Sequence, residues 1–130
     1  TNMYKSENKS LNFTTNDMLT IKGTNYLVSP GGSYTLETMV KTSTLVKSSV
    51  KFIVVNLDRQ NNDGGSGFLC RQNNIIEATY RPLTGTTVPI KTTLDINNTW
   101  THLTAVVNST DNTFSFYMNG ILVNSTNSQV

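Results

Sequence analysis

WTHLTAVVNSTDNTFSFYMNG, residues 100–120, decides how the rest of the chain is read. It opens with the only Trp and only His of the sequence, alternates apolar and polar residues, breaks at the polar knot NSTDN, alternates again and ends on Asn119-Gly120. A side-chain period of two is that of a half-buried strand, so two strands are predicted, over 99–107 and 113–118. Asn and Gly both tolerate the left-handed backbone of a primed turn, so Asn119-Gly120 predicts a tight reversal into a further strand at 121–123.

The same period recurs toward the N-terminus. Short strands are predicted at 10–13 and 18–22 around the turn Thr14-Thr15-Asn16-Asp17, and a longer one at 33–42 after the breaker Pro30-Gly31-Gly32. In that longer strand Tyr34, Leu36, Thr38 and Val40 share one face, and Thr35, Glu37, Met39 and Lys41 the other. The run VKFIVVNL, 50–57, is too short for a helix and rich in β-branched residues, which predicts a central strand. After the polar loop DRQNNDGGSG come strands at 67–72 and 75–81, paired as a hairpin through Asn73-Asn74. Pro82 and Pro89 confine 83–96 to edge or irregular positions. The total is roughly ten strands with turn signals at short intervals, the pattern of a sandwich or barrel.

Composition agrees and narrows the function. The 130 residues suffice for one domain with one core. Asn is about one residue in eight and Ser plus Thr about one in four, a bias toward strands and turns. Ten Lys and Arg against eight acids give a net charge of +2, and the basic residues occur singly, which argues against binding nucleic acid by phosphate neutralisation. No apolar stretch is long enough to cross a bilayer as a helix, so no membrane insertion is expected. Cys70 is alone, which excludes a disulfide within the chain and leaves a small buried hydrophobe as its expected role. Five Asn-x-Ser/Thr sequons occur where chance predicts about four, so they carry little information.

W-T-H-L-T-A-V-V, a short polar turn and F-S-F-Y-M-N-G-I-L-V together resemble the signature hairpin of laminin-G-like domains, in the concanavalin A-like lectin/glucanase superfamily. There a W-x-H-[VL]-A-type strand precedes a Y-[VM]-[ND]-G pair. SLNFTTNDMLTIKG followed by SYTLETMVKT is similar to the family's opening hairpin and its S-[FY]-T-[LIV]-[ES] strand, in family order. The resemblance implies an all-β, antiparallel jelly-roll β-sandwich over residues 1–130. In it Trp100 is expected to bury a large area at the start of a central strand, and His102 to satisfy a hydrogen bond beside it. The family's closing strand, with a G-x-[IL]-[DE]-[ED]-[VLI] pattern, is missing before Val130, and the chain opens on Thr1. The expectation is a domain excised from a longer protein, with an open sheet edge for a partner strand or a second copy.

Relatives of this fold that hydrolyse glycans carry an E-x-D-x-E cluster on one strand, because retaining hydrolysis needs two carboxylates about 5 Å apart. None of the eight acids stands at i, i+2 from another within a strand, no Ser sits on a nucleophile turn, and one His with one Cys does not make a transition-metal site. The expected function is therefore a non-catalytic, extracellular recognition module for a glycan or a surface protein. The alternative is an assembly or adhesion module at a cell or virion surface. Candidate ligand residues are Asp58, Asn61, Asn62, Arg71, Tyr80 and Arg81, an aromatic platform with amides and charges around it. The resemblance also implies one calcium at a sandwich rim. The loop 58–63 offers the carboxylates of Asp58 and Asp63 and three amides for it, with Arg59 opposing the charge and an ordinary solvated loop as the competing reading.

Overall fold

The computed structural model describes residues 32–41, 51–57, 65–71, 75–82, 86–92 and 98–127. The expected strands at 10–13 and 18–22 and the loop 58–63 lie outside the described residues, as does the side chain of Cys70. Eight strands are described: β1 Tyr34–Val40, β2 Lys51–Leu57, β3 Gly65–Arg71, β4 Ile75–Arg81, β5 Val88–Thr92, β6 Thr101–Asn108, β7 Thr113–Met118 and β8 Ile121–Asn127. No helix occurs among the described residues.

The strands form two four-stranded sheets, ordered β1-β6-β7-β8 and β2-β3-β4-β5, with every pair antiparallel. Period-two patterning sets the register. In β6, Thr101, Leu103, Ala105 and Val107 are buried while His102, Thr104, Val106 and Asn108 are only half-buried. β1 alternates likewise, so pairing Leu36 with Ala105 and Tyr34 with Val107 aligns two inward rows. A slip of β1 by one residue would turn its inward row outward.

Inward side chains of both sheets share one core: Phe68, Ile76, Ala78, Tyr80 and Ile90 from one, and Leu103, Ala105, Val107, Phe114, Phe116 and Met118 from the other. Two aromatic pairs bridge the sheets, Phe68–Phe116 with centroids 5.9 Å apart and Tyr80–Phe114 at 5.5 Å, both tilted. β4 is buried on both faces, because Glu77 and Thr79, opposite in phase to Ile76, Ala78 and Tyr80, are also covered. The Glu77 carboxylate lies 3.8 Å from Lys91 Nζ on β5.

The turns explain the polar knots. Asn108 Oδ1 accepts from the N–H groups of Thr110 and Asp111 at 3.0 and 3.2 Å, and its amide donates to Asp111 at 2.8 Å. Asn112 then takes a left-handed φ of 53° before Thr113 pairs back on Asn108. At the next turn Asn119 and Gly120 have φ of 51° and 78°, as the primed turn requires.

Two expectations need correction. The 50–57 run stands at the end of the described sheet as β2 rather than at its centre. Trp100 is 49% exposed and not part of the core. Its parity explains this: odd positions 101, 103, 105 and 107 face inward, so the even position 100 continues the outward row. β5, with Pro89, ends the described sheet order, as its missing N–H demands.

Candidate functional site

The outward face of the β1-β6-β7-β8 sheet can be read rung by rung. Thr35, Val106, Ser115 and Ser125 align on one rung, with the Ser115 and Ser125 hydroxyls 2.7 Å apart. Glu37, Thr104, Tyr117 and Leu122 make the next. Met39 pairs with His102 beyond them, and Lys41 and Trp100 flank the end of the β1–β6 ladder. Residues opposed across a ladder share a face, so chemistry set far apart in sequence is brought to one end of one sheet.

That end is amphipathic. Trp100 and Met39 are exposed, and the Lys41 ammonium stands 6.0 Å from the Trp100 ring centroid, a cation–π distance. His102 Nε2 lies 3.3 Å from Glu37 Oε2, a diagonal contact between β6 and β1 on the solvent side. The imidazole of His102 thus has an exposed carboxylate as its neighbour. The backbone of His102 is fixed separately: its N–H donates to Asn119 Oδ1 at 2.9 Å and its carbonyl accepts from the Asn119 N–H at 2.8 Å. The β7–β8 turn therefore anchors the strand that presents the imidazole.

Of the residues expected from sequence, Tyr80 and Arg81 have described surroundings. Tyr80 is 4% exposed and packs on Phe114, so its ring belongs to the core and offers no stacking face to a ligand; burial also pushes its hydroxyl pKa up. Arg81 is half-buried and, as the next residue on β4, points to the opposite side from Tyr80. Arg71 pairs with Ile75 at one end of the β3–β4 ladder and Arg81 with Gly65 at the other, about 20 Å apart along the strand. Asp58, Asn61, Asn62 and Asp63 lie outside the described residues. Among the described residues no three His, Cys, Asp or Glu side chains converge to hold a metal ion.

An isolated Trp beside an alternating run suggests core, so the sequence does not mark Trp100 and Lys41 as a site. The available signal was parity, since Trp100 is out of phase with Leu103, Ala105 and Val107.

Two packed antiparallel sheets with aromatic pairs between them define a β-sandwich. The laminin-G-type model described as the concanavalin A-like lectin/glucanases superfamily matches residues 13–130, and the chain belongs to that family. Its domains often bind glycans or proteins, are usually extracellular and are generally non-catalytic. No curated protein matches the chain.

Proposed function

We propose that this domain is a non-catalytic recognition module that binds glycans on the outward face of the β1-β6-β7-β8 sheet, at its Trp100 end. The observation that carries the reading is the half-exposed Trp100 with Lys41 and Met39 beside it and the Glu37–His102 pair adjoining. A sugar is recognised by stacking its apolar C–H face on an aromatic ring while polar groups at the ring's edge meet its hydroxyls. An indole supplies the first, and carboxylate, imidazole and ammonium supply the second. The imidazole lies on β6 and the carboxylate on β1, and the indole and ammonium adjoin the ends of those paired strands, which limits the ordering required when a ligand arrives.

The test is binding of the purified chain to a glycan panel, repeated with Trp100→Ala. Selective binding that the substitution abolishes, with thermal unfolding unchanged, supports the site. No binding by folded protein overturns the reading. Selective binding that survives Trp100→Ala moves the site elsewhere.

A second reading, protein association at a cell or virion surface, draws on β8. It ends the described sheet order and leaves Ile121 74% and Leu122 51% exposed. A monodisperse monomer at high concentration by sedimentation would count against self-association there. The proposal extends to one calcium at loop 58–63, on the oxygen count of Asp58, Asp63 and the three amides between them.

A further inference from the structure

We infer that the Trp100 platform prefers a sugar bearing a carboxylate, a uronic acid unit, with the Lys41 ammonium as its counter-ion. This rests on the glycan-binding reading above and names the ligand class within it. Val40 pairs with Thr101, so Lys41 and Trp100 face each other just past the last rung, and the ammonium is held 6.0 Å from the ring centroid. Lys41 is exposed, and no described carboxylate is within ion-pair reach of it. Glu37, the acid on the same strand and face, contacts His102 instead and lies four residues back, about 13 Å along the strand.

An exposed cation–π contact is weak, so Lys41 can turn to an incoming anion at small cost while the indole keeps its stacking role. Lys41 is also the sole Lys or Arg among the described residues of this sheet and its turns. One ammonium matches one charge per sugar, whereas densely sulfated chains are met by clusters of bases. The ammonium stands over the indole ring, so a sugar that stacks there must displace it, and a carboxylate carried on the pyranose gives the displaced ammonium a counter-charge beside the ring. A neutral sugar stacks equally well but leaves Lys41 without a partner.

The experiment is titration calorimetry of the whole chain against three matched oligosaccharide pairs of equal length and linkage: glucose and glucuronate, galactose and galacturonate, mannose and mannuronate. One acidic member is expected to bind about five- to tenfold tighter than its neutral counterpart at low salt, with the preference shrinking as salt rises. Lys41→Gln should erase the preference and leave neutral binding in place, while Trp100→Ala should remove both. Equal or weaker binding of every acidic member, with neutral members bound, overturns the carboxylate preference and leaves the glycan reading standing. A preference that survives Lys41→Gln overturns the role given to Lys41. Binding of neither member by folded protein overturns both readings.

Discussion

Asn119 grips His102 from two directions: its side-chain oxygen accepts from the His102 N–H at 2.9 Å, and its own N–H donates to the His102 carbonyl at 2.8 Å. A turn residue between β7 and β8 thereby closes the start of β6, at the end of the sheet where Trp100 and Glu37 stand. Asn119→Ala removes the side-chain acceptor and forces Ala into a φ of 51°, so a loss of about 1–2 kcal/mol is expected. Asn119→Gly should lose less, because it keeps the backbone. Denaturant melts of the two variants separate the contributions, and equal losses would rule out a backbone term.

Gly120 isolates the backbone term. A Cβ built there meets nothing within 4 Å, yet φ is 78°. Gly120→Ala should therefore cost about 1 kcal/mol through strain alone. A crystal structure of the variant with the turn unchanged and the midpoint lowered would bear this out; an unchanged midpoint would contradict it.

Phe116 is fully buried and meets Phe68 across the two sheets. Truncation to Ala leaves a cavity between them, for which about 3–5 kcal/mol is expected. Phe116→Leu should cost much less because most of the volume remains. A Phe116→Ala midpoint close to that of the parent would show that the sheets do not depend on this contact.

Alkaline pH should destabilise the fold. Burial raises the pKa of Tyr80, and burial is also the main cause of the rise at Tyr34; the Ser66 hydroxyl pulls Tyr34 the other way, and Tyr80 adds to the rise. Among the described residues neither Tyr34 Oη nor Ser66 Oγ has a partner in hydrogen-bond geometry, and the effect of Ser66 is smaller than that of burial. A raised native pKa means that the native state holds the phenolic proton more tightly than the unfolded chain. The associated stability is full below the ordinary tyrosine value near 10 and falls as pH rises above it. Melting temperatures measured from pH about 8 to about 11 should decline at the upper end, and less steeply in Tyr34→Phe and Tyr80→Phe. Tyr34→Phe should also be neutral or stabilising at neutral pH, since it deletes a buried hydroxyl without a partner. Identical pH profiles for parent and both variants would refute the assignment.

Calcium binding at loop 58–63 would stabilise the domain by mass action. A dissociation constant of about 0.1–1 mM, ordinary for extracellular modules, gives about 1.4–2.7 kcal/mol at about 10 mM calcium. Calorimetric melts with calcium and with a chelator should differ accordingly, and Asp58→Asn with Asp63→Asn should erase the difference. Coincident melts of the parent would remove calcium from the proposal.

Much of the architecture was legible in residue order. The segments 75–81 and 113–118 are strands with those bounds, the 67–72 segment pairs with β4 as a hairpin from two residues earlier, and Asn119-Gly120 makes its turn. The face containing Tyr34, Leu36, Thr38 and Val40 is the one turned inward. Each of these depends on interactions within a few residues, so alternation and turn chemistry suffice to determine them.

The site was less legible, because a side chain's surroundings come from strands distant in sequence. Arg71, Tyr80 and Arg81 are near neighbours in the chain, yet the β3–β4 ladder separates the arginines and the core takes the tyrosine ring. Lys41 and Trp100 are far apart in the chain, and the β1–β6 ladder brings them together. Sequence by itself determined the all-β class, most strand positions and the tight turn, since these follow from a period of two and from left-handed backbone preferences. Only the tertiary structure decided that Lys41 meets Trp100 and that Tyr80 meets Phe114, because those contacts join strands far apart in sequence.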